Sequence, residues 1–250
     1  MDAPLLQVLI GAAVAGFVQG LSGFAFGLAA MGIWAWSVSP QLAGPMVVFG
    51  SLIGQLLSIH SVRADIDLRR VLPFILGGVI GVPLGAAALP HLNPTLFKAG
   101  VGLLLAVYCP VMLLTRELPR IRGGGRVADG VAGLAGGIMG GVGGLSGPAP
   151  TLWCTLRHWS GGAQRAVIQS FNLAMHALTL TVYIVDGAIT AETGRMFAVI
   201  APTLVVPCLI GARLYSRVSE IQFRRLVLAL LFLSGLGLLA SSGSHLLGHG

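Results

Sequence analysis

The sequence predicts an all-α polytopic membrane protein made of two inverted structural repeats. Each repeat is a glycine-interrupted (broken or re-entrant) helix pair followed by three spanning helices. Three observations carry this. Hydrophobic residues make up 55% of the chain and charged residues only 9%, whereas a soluble domain is roughly a quarter charged. The run from Leu5 to His60 contains no Asp, Glu, Lys or Arg, far more than the roughly 20 residues one spanning helix needs. Gly-Leu-Ser-Gly occurs at Gly20–Gly23 and again at Gly144–Gly147, each time inside an apolar stretch, about half the chain apart.

The apolar runs in order are Leu5–Val38, Leu42–His60, Val71–Leu89, Thr95–Leu114, Val127–Leu156, Ala166–Val185, Phe197–Ala212 and Leu226–Ala240. Met1–Leu6 has no basic start and carries Asp2, so it does not read as a cleavable signal peptide. The net charge of +7 does not imply nucleic acid, because the basic residues gather in short loops. Arg63, Arg69 and Arg70 follow the second run, and Arg116, Arg120, Arg122 and Arg126 the fourth. Arg157 and Arg165 follow the fifth, and Arg213, Arg217, Arg224 and Arg225 the seventh. Only Lys98 and Arg195 lie elsewhere, so these four loops are assigned to the cytoplasm and both termini to the opposite, periplasmic side.

This partition constrains the two long runs. Val127–Leu156 starts after Arg126 and ends at Arg157, both cytoplasmic, so it must enter and return, turning near Gly143–Pro150. Leu5–Val38 does the same from outside. Arginine positions do not separate re-entrant pairs from pairs of short crossing helices. The halves therefore have opposite orientation, with residues 1–115 as one repeat, 116–126 as a Gly- and Arg-rich cytoplasmic linker and 127–250 as the other. Gly-Ala at Gly85 and Gly211, each 12 residues before a Phe, and Gln41 and Gln164 at the next helix starts extend the likeness.

A helix that begins inside a bilayer presents unpaired N–H groups and a partial positive charge, and so attracts an anion without a buried arginine. Gly20, Ser22 and Gly23, with Gly144, Ser146 and Gly147, are the candidate binding residues, and Ser22 and Ser146 are expected to face one another near the midplane. Polar stripes at helical spacing add candidates. Ser51, Gln55 and Ser58 form one, and Asn172, His176 and Thr179 the other, with Gln169 and Ser170 one turn earlier. Of these Gln55, Ser170, Asn172 and His176 are assigned to the substrate. His176 is the one ionisable side chain well inside an expected span, a functional candidate by position. Trp34, Trp36, Trp153 and Trp159 are read as interface anchors, Arg213 and Arg217 as snorkelling, and Cys109, Cys154 and Cys208 as packing residues. No P-loop or metal-ligand spacing is present, so no cofactor and no direct use of ATP is expected.

Gly-Phe-Val-Gln-Gly-Leu-Ser-Gly-Phe-Ala-Phe-Gly at Gly16–Gly27, the second copy at Gly140–Pro150 and the inverted halves together resemble the TauE/SafE permeases, of the 4-toluene sulfonate uptake permease type, over essentially the whole chain. The resemblance implies transport, often export, of small sulfur-containing oxyanions such as sulfite, sulfoacetate or other organosulfonates. It places the family's Gly-rich motifs on Gly20–Gly23 and Gly144–Gly147 and its small polar stretch near Gln169–Asn172. The partners expected are that anion and the lipid bilayer, with no nucleic acid; a homo-oligomer stays open. The alternative is an intramembrane serine hydrolase using Ser146 and His176. The duplicated motif counts against it, since the first half has no matching histidine.

Overall fold

The computed structural model describes residues 3–114, 121, 123–157, 159–214 and 220–247. Among them ten α-helices follow one another and no strand occurs. They are α1 (Ala3–Ser22), α2 (Phe26–Trp34), α3 (Pro40–Ser58), α4 (Leu68–Ala88) and α5 (Pro94–Leu113), then α6 (Gly125–Gly143), α7 (Pro148–Leu156), α8 (Gly161–Val185), α9 (Ala191–Leu214) and α10 (Glu220–Leu247). Among the described residues seven helices are long and apolar enough to cross a membrane: α1, α3, α4, α5, α8, α9 and α10. Residues 116–120 and 122 of the expected linker lie outside the described residues, as do Arg116, Arg120, Arg122 and Arg217.

Each of the two long glycine-rich runs is split into a long helix and a nine-residue one, α2 and α7. Nine residues rise about 13 Å, less than half of the ~30 Å hydrocarbon thickness, so neither short helix can cross. Both fold back. Trp34 Nε1 donates to the Val8 carbonyl at 3.2 Å, Gln7 Nε2 to the Ile33 carbonyl at 2.6 Å, and Ser37 Oγ to Gln7 Oε1 at 2.6 Å. The chain thus leaves the first hairpin at the end where it entered. In the second, Trp153 Nε1 donates to Asp129 Oδ1 at 2.6 Å, and the Ile121 N–H to the Leu156 carbonyl at 3.0 Å. Both broken runs are therefore re-entrant hairpins.

Packing between the long helices depends on the absence of side chains. In lipid, helix association rests on van der Waals contact, and small residues let backbones approach. α6 lies along α4 and α1 along α9. A Cβ at Gly137 would stand 2.5 Å from the Gly78 carbonyl oxygen, and one at Gly81 would stand 2.3 Å from that of Leu134. Gly85 and Gly211, matched in the sequence, do the same work in these two pairs. A Cβ at Gly85 would come within 2.1 Å of the Ile138 oxygen, and one at Gly211 within 2.4 Å of the Phe17 oxygen. α5 packs on α10 and α3 on α8.

Trp34 departs from its expected place. It is fully buried against α1, with Phe26 edge-on to its ring, and is a core residue rather than an interface anchor. Trp36, by contrast, is exposed beside Lys98, and Trp159 lies between Arg70 and Arg157. Cys109, Cys154 and Cys208 are buried free thiols, as expected of packing residues.

Gly137→Val should destabilise the protein by about 1–3 kcal/mol or more through overpacking, seen as a lower melting temperature in detergent. An unchanged melting temperature would mean that α4 and α6 do not touch there.

Candidate functional site

Breaking a helix frees backbone groups that must find new partners inside the bilayer. At the first break two side chains supply them. The Phe26 N–H that starts α2 donates to Gln19 Oε1 at 3.0 Å, while Gln19 Nε2 donates to the Gly23 carbonyl at 3.0 Å. Ser22 bridges the same gap: its hydroxyl donates to the Val18 carbonyl at 2.8 Å and accepts from the Ala25 N–H at 3.2 Å. Gly23 has φ +83°, and a Cβ there would lie 2.0 Å from the Gln169 side chain. Both conformation and space therefore require glycine. The Gln169 amide, with its nitrogen donating to the Ser58 carbonyl at 3.2 Å, accepts from Arg165 Nε at 3.2 Å. That contact holds the guanidinium against the break, with Nη2 at 3.2 Å from the position a Gly23 Cβ would occupy.

A cavity of about 620 Å³ opens at this break. Its polar wall is Ser22, Asp65, Thr151, Gln164 and Arg165; its apolar wall includes Tyr108 and Met112 from α5 and Leu228 and Leu231 from α10. The planar Arg165 guanidinium in this wall is a forked donor suited to an oxyanion. Apolar walls beside it suit a carbon chain.

The second break is closed. Gly144 caps α6 in the left-handed region at φ +70°, and a Cβ there would strike Val47. Ser146 is fully buried; its Oγ lies 3.0 Å from Asn172 Oδ1 and 3.2 Å from His176 Nε2. His176 Nε2 also lies 3.1 Å from the Gly144 carbonyl. A carbonyl can only accept, so Nε2 carries a proton and the serine hydroxyl donates to Asn172. In that polarity His176 is not a base toward Ser146. Pro148 and Pro150 in the first turn of α7 remove two of the N–H groups that an anion would use.

The two polar stripes meet. Gly44 lies against the Tyr183 hydroxyl, at 3.4 Å from its would-be Cβ, and Ser58 against Gln169. α3 and α8 thus run antiparallel along one seam, Gly44, Val48, Ser51, Gln55 and Ser58 facing Gln169, Asn172, His176, Thr179 and Tyr183. In this register Gln55 comes opposite Asn172, and Ser51 opposite His176. Ser51 Oγ, both amide atoms of Gln55, Asn172 Nδ2, His176 Nδ1 and Thr179 Oγ1 are buried and find no hydrogen-bond partner. Each such group costs about 1–3 kcal/mol relative to a partnered one.

The sequence-derived candidates fall into three places. Ser22 and Gly23 border the open cavity or its break. Gly144, Ser146, Gly147, Asn172 and His176 form the sealed cluster, and Gln55 belongs to the seam; Ser170 Oγ, on α8, is likewise unpartnered. Gly20 faces α9 instead, where a Cβ would be 2.1 Å from the Cys208 oxygen. Ser22 and Ser146 do not face each other as expected: Ser22 borders the open cavity and Ser146 is sealed against α8, and the second motif meets the first hairpin at Gly27 of α2, whose would-be Cβ lies 2.8 Å from the Gly144 oxygen. Sequence reasoning passed over Gln19, a lone amide in a charge-free apolar run, and placed Arg165 in a loop. It sits on α8 because Gly161 and Gly162 open that helix rather than precede it.

The family model described as Sulfite exporter TauE/SafE matches residues 8–238, nearly the whole chain. No curated protein and no solved structure matches it.

Ser146→Ala leaves Asn172 Oδ1 buried without its donor and should cost about 1–3 kcal/mol of stability. Ser22→Ala, at a cavity wall within reach of water, should cost less than about 1 kcal/mol. Thermal unfolding in detergent compares them, and equal losses would contradict the contrast between an open and a sealed break.

Proposed function

As the chain belongs to the sulfite exporter TauE/SafE family, we propose that this membrane transporter exports a small sulfur oxyanion, such as sulfite, sulfoacetate or another organosulfonate, by alternating access. The observation that carries the reading is the cavity at the α1–α2 break, where Arg165 and Ser22 share a wall. The sulfonate group is taken by the Arg165 guanidinium where it borders the cavity beside Ser22, and its carbon part by the apolar wall.

The arginine distribution supports a cavity that opens to the cytoplasm. The cavity is bordered by Asp65, Gly161 and Gly162, which lie between or at the ends of helices on the arginine-bearing side. Assigning that side to the cytoplasm makes the cavity the loading side, with both termini periplasmic. The packing supports two inverted halves. The first helix of each half lies on the fourth helix of the other, the fifth pairs with the fifth and the third with the third. The hairpins enter from opposite ends, as such halves require. Alternating access is then exchange between this state, open at the first break, and its counterpart, open at the second.

The 3.2 Å approach of Ser146 to His176 is the one observation that favours a hydrolase. The donor polarity and the complete burial of Ser146 weigh against it, and a fluorophosphonate probe is expected to leave Ser146 unlabelled.

Arg165→Gln should raise the KM for ethanesulfonate flux in proteoliposomes about tenfold or more, the loss of a charge-assisted contact, with Arg165→Lys in between. An unchanged KM in Arg165→Gln would put the anion elsewhere. A cysteine at Gly124 should react with an impermeant thiol reagent only from the cytoplasm; labelling from outside would overturn the sidedness.

A further inference from the structure

We propose that the α3–α8 seam is an inner binding chamber in which the oxyanion binds together with a proton on Nδ1 of His176. The proposal rests on the transport reading above and adds to it a second site and a coupled ion.

A small cavity of about 10 Å³ lies beside the sealed cluster, enough for about one water. His176, Gly144 and Gly147 border it on one side, and Phe24, Leu28 and Tyr108 on the other. Phe24, Leu28 and Tyr108 also wall the open cavity. One layer of side chains, two of them carried by the first hairpin and its break, therefore divides the loading cavity from the second break.

His176, which borders the small cavity, belongs to a seam of donors with nothing to donate to. Ser51 Oγ, Gln55 Nε2, Asn172 Nδ2 and Thr179 Oγ1 are buried, unpartnered and on successive turns of two facing helices. A sulfonate or sulfite offers three oxygens, and acceptors are what these groups lack. His176 decides the charge. Its Nε2–H is committed to the Gly144 carbonyl, so the neutral ring turns the lone pair of unpartnered Nδ1 into the protein. A lone pair repels an oxyanion; a protonated Nδ1 donates to it and neutralises its charge. A bare anion without such a partner is expensive to bury.

Nothing else near the ring can do this. No Asp, Glu, Lys or Arg borders the small cavity, and the titratable group facing His176 across it is the Tyr108 phenol of α5. α3 brings the neutral Ser51 and Gln55, α6 and α7 bring Ser146 and backbone groups, and α4 meets α8 through Gly78 against Met175. The α6 carboxylate, Asp129, is bound to Trp153, and Arg165 stands three turns away on α8. The proton is taken from water on the loading side, travels with the anion and is released with it on the far side. Transport is then electroneutral for a monoanion.

Ethanesulfonate is the appropriate probe, because its own ionisation does not change near neutral pH. Proteoliposomes holding a pH-sensitive dye should show about one proton moving with each ethanesulfonate, in the same direction, at a rate indifferent to a potassium–valinomycin voltage. In His176→Gln no proton should accompany whatever flux remains. If that variant is silent, calorimetric titration of the detergent-solubilised protein in buffers of different ionisation enthalpy replaces the flux assay. Proton uptake on binding is expected in the parent and not in the variant. Ethanesulfonate flux without proton movement, or equal proton uptake in parent and variant, overturns the inner chamber and leaves the transporter standing. No ethanesulfonate flux from folded parent protein overturns both.

Discussion

A helix broken inside a bilayer must re-partner the backbone groups it frees, and the rest of this structure is arranged around that requirement. At the first break the task falls to Gln19 and Ser22. A buried amide of that size needs room, and Gly54 on α3 provides it, since a Cβ there would sit 2.6 Å from Gln19 Cγ. The carbonyl that Gln19 binds belongs to Gly23, whose missing side chain leaves space for Gln169. Gln169 in turn ties the Ser58 end of α3 to Arg165. One chain of contacts thus links the hairpin, α3 and α8, and its last member is the guanidinium at the cavity wall.

The same tetrapeptide solves the same problem differently in the second half. There the serine is fully buried, its partners come from the neighbouring α8, and two prolines replace N–H donors at the start of the short helix. The first copy borders open space and the second does not. Two breaks of like sequence are thus held in unlike states.

Much of this was legible in the sequence. The all-helical membrane class and the placement of the breaks within Leu5–Val38 and Val127–Leu156 follow from hydropathy and glycine positions. What escaped depends on which face of a helix a residue takes. Gly20 and Gly23 stand three apart in one motif, yet one abuts α9 and the other underlies Gln169. Trp34 sits near the end of a hydrophobic run, where an anchor belongs, but its hairpin turns it inward. By sequence Arg165 counts with the loop arginines after the fifth run, and only its place on α8 and the contact with Gln169 reveal it as part of a wall. The stripes on α3 and α8 were visible separately; their antiparallel register needed coordinates.

The central claim is that the cavity at the first break selects a sulfur oxyanion. Competition in proteoliposomes tests it most directly, with labelled sulfoacetate as the solute and either ethanesulfonate or propionate, of similar size, as the competitor. The account predicts saturable uptake inhibited by ethanesulfonate and not by propionate. Equal inhibition by both, or uptake that does not saturate, would contradict it.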